Sequence, residues 1–252
     1  MSFDKLEGKG FFTKEIEDAL LSGDIDLAVH SHKDLETTPP ANLKVSCVSK
    51  RANPADTLLI NKSAVDASKK WNLKQNAIVG TSSARRKSQM LKYREDAVIK
   101  DLRGNVPTRI EKLRQGNYDA ILLAKAGIDR LELDLSEFTE VVLDPTEFIP
   151  APAQGVLGLQ IREEDNALHE VLQQMNFPDV QQRISLERKV LNLLEGGCQL
   201  PLGVYCDEKN DLFVSFADSA DSPYHYLNYH VVNFEGMAEK VINDLHNKAS
   251  VG

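Results

Sequence analysis

The sequence predicts an α/β protein of two hinged, doubly wound lobes followed by a small α+β domain. Three observations lead there. Over residues 77–131 a short apolar strand runs three times into a loop and then a helix, the alternation that builds mostly parallel sheets. Two proline-bearing stretches, R-A-N-P-A (51–55) and F-I-P-A-P-A-Q (148–154), bracket this repeat and read as crossings between lobes. Beyond residue 176 a long amphipathic helix leads into alternating stretches that read as antiparallel strands. The boundaries that follow are 1–54 with 155–176 for the first lobe, 55–154 for the second, and 177–252 for the C-terminal domain.

The chain opens on S-F-D-K-L-E-G-K-G (2–10), a polar loop. A helix is expected over 13–22, with Thr13 as its cap, Glu15 and Glu17 at its positive end and Gly23 closing it. I-D-L-A-V-H (25–30) alternates like a strand and ends in S-H-K-D; further strands are expected at 44–49 and 56–60. The threefold unit then runs from 77–80 into T-S-S-A-R-R-K-S-Q-M-L, from 97–102 into R-G-N-V-P-T-R-I-E-K-L, and from 119–124 into K-A-G-I-D-R-L. Ser82 or Ser83 can cap the first of these helices, and Pro107 suits the first turn of the second. A strand at 156–162 and a helix at 166–175 complete the first lobe. The long helix spans 179–194, is stopped by Gly196 and Gly197, and cannot resume past Pro201. Strands at 204–206, 212–217 and 224–232 and a helix over 235–247 finish the chain.

A chain of 252 residues buries about 70–75% of its unfolded surface and needs no disulfide or metal staple. Its three cysteines, Cys47, Cys198 and Cys206, show no metal-ligand spacing and fit a reducing compartment. With no signal-peptide pattern and no apolar run of membrane-spanning length, a soluble, cytoplasmic protein without a membrane partner is expected. The net charge of −8 argues against a nucleic-acid partner. Its distribution says more: residues 84–114 hold ten Lys/Arg against four Asp/Glu, a local +6 that leaves −14 for the remainder. The cations fall where ligands of parallel sheets bind, at the carboxyl ends of strands: Arg85 and Arg86, then Arg103 and Arg109, then Lys125 and Arg130. Helix N-termini flanked by arginines favour a carboxylate or phosphate. His30-x-His32 puts two imidazoles on one strand face, but no third ligand stands out, so no metal site is expected.

Cys198 sits just past the C-terminal end of the long helix, where the dipole disfavours a thiolate, so spacing and chemistry by themselves leave it an idle thiol. The segment around it, E-R-K-V-L-N-L-L-E-G-G-C-Q-L-P-L-G (187–203), is similar to the cofactor-attachment segment of the hydroxymethylbilane synthase, or porphobilinogen deaminase, family. Further segments resemble the family in its own order. G-K-G-F-F-T-K-E-I-E (8–17) resembles the active-site loop and following helix, A-V-H-S-H-K-D (28–34) the segment of the catalytic aspartate, and P-A-P-A-Q-G (150–155) the return crossing. G-T-S-S-A-R-R (80–86) and L-R-G-N-V-P-T-R (102–109) resemble the carboxylate-binding loops.

The resemblance implies a monomeric transferase that polymerises four porphobilinogens into hydroxymethylbilane with loss of ammonia, on a dipyrromethane held through a thioether to Cys198. It implies Asp34 and Lys33 as catalytic residues and Lys9, Ser83, Arg85, Arg86, Arg103 and Arg109 as contacts of the cofactor. Lys5 and Arg130 are implied to contact the substrate. Each pyrrole brings two carboxylates, which paired Arg contacts can orient, and a cation forming on pyrrole nitrogen calls for an anion such as Asp34. Without the resemblance, Asp34 reads as a turn-capping aspartate and Lys33 as a solvated lysine. The family's first two domains resemble periplasmic binding proteins, so a two-lobed anion-binding protein with no use for Cys198 is the alternative, an inactive homologue the third reading. Family members also carry a strand with Arg-x-Ser and a helix ahead of the active-site loop. This sequence starts after that element, and lower stability and little deaminase activity are expected of it alone.

Overall fold

The computed structural model describes residues 10–194, 200–219, 222 and 224–249. α1 (Gly10–Ser22) is followed by β1 (Ala28–Ser31), a 3-10 turn at His32–Asp34, β2 (Leu43–Val48) and β3 (Asp56–Asn61). The repeated unit supplies β4 (Ile78–Gly80), α2 (Ala84–Tyr93), β5 (Val98–Lys100), α3 (Val106–Arg114), β6 (Ala120–Ala124) and α4 (Lys125–Leu131). β7 (Phe138–Val142), β8 (Leu157–Arg162), α5 (Asn166–Gln173) and α6 (Pro178–Leu193) follow. The last elements are β9 (Leu202–Cys206), β10 (Asp211–Phe216), β11 (His225–His230) and α7 (Met237–Ala249). Among the described residues no helix is long and apolar enough to cross a membrane.

The strands form three sheets, ordered β1-β8-β2, β5-β4-β6-β3-β7 and β11-β10-β9. The mixed α/β architecture is the expected one, but the strand directions differ. Only β4 runs parallel to its neighbours β5 and β6; β3 is antiparallel to both β6 and β7, and the β1-β8-β2 sheet is antiparallel throughout. Parallel pairing needs a crossover element, and the repeated helices supply one for β4, β5 and β6. β3 arrives directly from the first sheet, so nothing forces it parallel. β7 was not foreseen; only Phe138 of this edge strand is buried, and F-T-E-V-V lacks the strict apolar/polar alternation that marks a half-buried strand.

Side-chain caps explain three of the helix starts. Ser83 caps α2 by accepting from the Arg86 N–H (3.4 Å), Asn105 caps α3 through the Thr108 N–H (2.9 Å), and Asp165 caps α5 through the Leu168 N–H (3.0 Å). Thr13 is not a cap: α1 begins at Gly10 and Thr13 is buried inside it.

The five-stranded sheet is apolar on both faces because β3 and β6 are. Leu58, Ile60 and Leu122 pack with Val79, Met90 and Phe148 on one side. Leu59, Ile121 and Leu123 pack with Leu102, Ile110 and Leu113 on the other. α6 contributes Leu186, Val190 and Leu191 to the core beneath β9–β11 and α7, while its Val180 and Ile184 join Val48, Ala153 and Val156 beside the first sheet. β1 pairs with β8 on one side and, among the described residues, with no strand on the other; Val29 is 56% exposed.

The chain passes from the first sheet to the second over residues 49–55 and returns over 149–156, and the two crossings lie side by side. Ser49 N–H donates to Leu157 O (3.0 Å) and Ala52 N–H to Gly155 O (2.9 Å). Gly155 has φ +89°, and a Cβ there would meet Ala52 O at 2.7 Å, so only glycine allows this approach.

Candidate functional site

β1 ends in the turn that carries Lys33 and Asp34, next to the point where the two crossings meet β3. Lys33 Nζ donates to Gln154 Oε1 (3.3 Å) in the return crossing. Gln154 Nε2 donates to Pro54 O (2.8 Å) and to Asp56 Oδ1 (3.0 Å). Asp56, wholly buried at the head of β3, accepts from Arg85 Nη1 (2.6 Å) and from Arg86 Nε (3.1 Å) and Nη2 (2.7 Å). Arg85 also donates to Ile149 O (2.8 Å) and Arg86 to Leu122 O (3.1 Å). The parallel pairing of β4 with β5 brings their following loops together, where Ser82 Oγ donates to Leu102 O (3.1 Å) and accepts from Leu102 N–H (3.0 Å).

The electrostatics follow from this crowding. Burial pushes the Asp56 carboxyl up, but the guanidiniums of Arg85 and Arg86 overcome it and hold the group well below the usual carboxylate range. Burial, aided by Arg86, lowers Lys33 to about 8 against the pull of Asp34 and Asp56. Arg109 is lowered first by burial and then by Arg86, with Asp34 opposing. Asp34 therefore acts on both Lys33 and Arg109. In all, four cations (Lys33, Arg85, Arg86 and Arg109) gather around two carboxylates, Asp34 and Asp56.

The sequence-predicted residues thus divide into groups. Lys33, Asp34, Arg85, Arg86 and Arg109 come together. Arg85 and Arg86 are buried against Asp56, so in this arrangement they give a ligand mainly their charge. Arg109 spends only Nε internally, on Gly104 O (2.7 Å), and among the described residues its Nη groups have no partner. Arg130 reaches the return crossing through Gly155 O (3.1 Å), Arg103 is exposed on the loop before α3, and Ser83 serves as a cap. Lys125 is paired instead with Asp129 and Glu140, both at 2.9 Å. Lys5, Lys9 and Cys198 lie outside the described residues.

Four polar residues escaped the sequence reading: Arg51, Asp56, Gln154 and Glu187. Glu187 is completely buried and accepts from Arg51 Nη1 (2.5 Å) and Nη2 (3.2 Å), Ala153 N–H (2.7 Å) and Cys206 N–H (2.8 Å). It ties both crossings to the third sheet. The available signal was a charge on an apolar helix face, between Ile184 and Leu191; for Asp56 it was an acid heading an apolar strand. Burial, then Glu187, pushes the Cys206 thiol up to about 12, and burial raises Cys47, so neither is poised to ionise. His30 Nε2 is bonded to Gln160 Oε1 (3.0 Å). Burial and then Arg188 lower the buried His32 to about 4.

Comparison with known proteins adds the family. Residues 1–170 match the family model described as "Porphobilinogen deaminase, dipyromethane cofactor binding domain". The porphobilinogen deaminase of Bacillus cereus strain G9842 is 43% identical over 211 residues, covering 84% of this chain and 67% of that protein. That of Clostridium novyi strain NT is 41% identical over 214 residues, covering 84% and 70%, and that of B. cereus strain AH187 is 44% identical over 205 residues, covering 81% and 65%. The chain thus spans about two thirds of the length of these relatives. Among solved structures, an ancestral cationic amino acid solute binding protein aligns at 16% identity over 71% of this chain and 69% of that one, with a TM-score of 0.41. The family model and the relatives agree with each other along most of the sequence, and the chain belongs to the porphobilinogen deaminase family.

Proposed function

We propose that the site in this chain serves the family's transferase reaction in porphyrin biosynthesis, joining porphobilinogen units into hydroxymethylbilane with release of ammonia, on a dipyrromethane attached through Cys198, and that the chain alone turns over slowly. The observation that carries this reading is the surplus of cations around Asp34 where the first and second sheets meet. Such a surplus fits a ligand with two carboxylates per pyrrole ring. The dipyrromethane, when bound, supplies the carbon to which the first new pyrrole is joined.

Arg109 offers its Nη groups to a carboxylate, and Arg85, Arg86 and Lys33 set a positive field that draws such groups in. Arg103, Arg130, Ser83, Lys9 and Lys5 extend this binding role. Asp34 is the one acid of the cluster outside the buried Asp56 network, so it is the group to face a pyrrole nitrogen, stabilise positive charge there and accept its proton. The raised thiols of Cys47 and Cys206 support Cys198 as the point of attachment. Intact-mass measurement after incubation with porphobilinogen should show a covalent organic adduct, absent in Cys198→Ser, with ammonia released only by the parent. A folded parent chain that stays unmodified and releases no ammonia overturns the reading.

A further inference from the structure

We infer that Gln154 is a positioning residue, its side-chain amide holding the Lys33 ammonium in place by spanning from Lys33, in the turn that leaves the first sheet, to Asp56 on the second. The inference rests on the functional reading only in taking Lys33 to be part of the active site. The amide is 99% buried, since Gln154 is 1% exposed, and all its bonds have one sense. Oε1 accepts from Lys33 Nζ (3.3 Å), while Nε2 donates to Pro54 O (2.8 Å) and Asp56 Oδ1 (3.0 Å). Turned over, the amide would set an NH2 against an ammonium and a carbonyl against two acceptors, so the partners fix its orientation. The backbone is pinned as well, with Gln154 N–H on Ala151 O (2.9 Å) and Gln154 O accepting from Arg51 Nε (3.0 Å).

Lys33 is partly buried and stands among Asp34, Asp56, Arg85 and Arg86. Two of those four repel it. Gln154 is the neutral acceptor that keeps the ammonium directed at the junction, and because the bond is to the charged form, it favours that form. The charge state of Lys33 therefore depends on a residue 121 positions away in sequence.

Competitive labelling of lysines with isotopic acetic anhydride, read at the Lys33 peptide by mass spectrometry across pH, tests this on the chain as it stands. The parent midpoint should lie near 8. Gln154→Met removes the acceptor and should lower the midpoint by ~0.5–1 unit, whereas Gln154→Glu adds a carboxylate and should raise it by ~1 unit or more. A merely structural role predicts otherwise: loosening would carry both midpoints upward toward the free-lysine value. Circular dichroism identifies a variant that has lost its fold; only a fall in the midpoint separates the two roles, so Gln154→Leu, which also lacks the acceptor, replaces Gln154→Met if that variant does not fold. Midpoints that stay put, or a Gln154→Met midpoint that rises, overturn the assignment. The pH profile of ammonia release is measured in parallel. Labelling that shifts as expected while the turnover profile does not follow supports Gln154 as the holder of Lys33 and removes Lys33 from the catalytic reading.

Discussion

Replacing Glu187 by glutamine should cost about 3–5 kcal/mol, the range for removing one partner of a buried ion pair. Four donors converge on this carboxylate, and each oxygen serves one Arg51 nitrogen and one backbone N–H. Glutamine keeps the shape, but its NH2 cannot accept. Either Arg51 Nη1 and the Cys206 N–H or Arg51 Nη2 and the Ala153 N–H must then lose their acceptor. Arg51, whose side chain is 11% exposed, keeps its charge without a counter-ion, although its Nε remains on Gln154 O and its guanidinium lies 4.9 Å from the Tyr205 ring centre. For a chain of this size the loss corresponds to a fall in Tm of about 6–20 °C. The assay is urea unfolding with the m-value compared between variants, since an unchanged m shows that the difference is one of stability. Adding Arg51→Met to Glu187→Gln removes the stranded cation and should restore more than about 1 kcal/mol. A Glu187→Gln loss below about 1 kcal/mol, or an Arg51→Met change that simply adds its own full cost, would refute the reasoning.

The remaining predictions concern other parts of the molecule. His32 has a folded pKa of about 4, below its ordinary 6.5, so the unfolded chain takes the proton first. Its contribution should be intact above pH 6.5 and fall by about 3 kcal/mol as the pH drops to 4; urea midpoints of the parent should decline more steeply over this window than those of His32→Leu. Arg109→Leu should reduce turnover about 10- to 150-fold, the worth of one charge-assisted contact, with Tm nearly unchanged because only one internal bond is lost. A large fall in Tm with normal turnover would make Arg109 structural. Gly155→Ala should be more destabilising than Gly116→Ala by about 1 kcal/mol or more: both have positive φ, but a Cβ at Gly116 meets nothing within 4 Å, whereas at Gly155 it meets Ala52 O at 2.7 Å. Equal unfolding midpoints would show that the crossings part without cost.

What could be read from the sequence was local. Strand–helix alternation located β4, β5 and β6 and their helices, and the strand ends located the cations, because both are matters of periodicity over a few residues. Strand direction was not legible: β3 reverses against β6 because of how the chain enters the second sheet, not because of anything in D-T-L-L-I. The pairings of the cations were equally hidden. Arg85 and Arg86 read as ready for a ligand, and only the fold brings them onto Asp56, 29 and 30 positions earlier. Glu187 was passed over because the long helix reads correctly as amphipathic without it. A single carboxylate in an apolar face becomes meaningful once three other residues are known to aim four donors at it.

The side-by-side crossings also limit how the molecule can deform. Ser49 and Leu157 exchange two hydrogen bonds, one of them through the Ser49 hydroxyl, and Ala52 and Gly155 are in contact through bare backbone. Two separate tethers would let the sheets they join slide, part and rotate. Laced together, they behave as one ribbon, which resists stretching and sideways slip and yields to bending or twisting. Any opening between the first and second sheets is thereby reduced to a bend or a twist of this one ribbon. Lys33 and Asp56 both bond the side chain of Gln154, which belongs to that ribbon, so a bend at this point acts on both contacts.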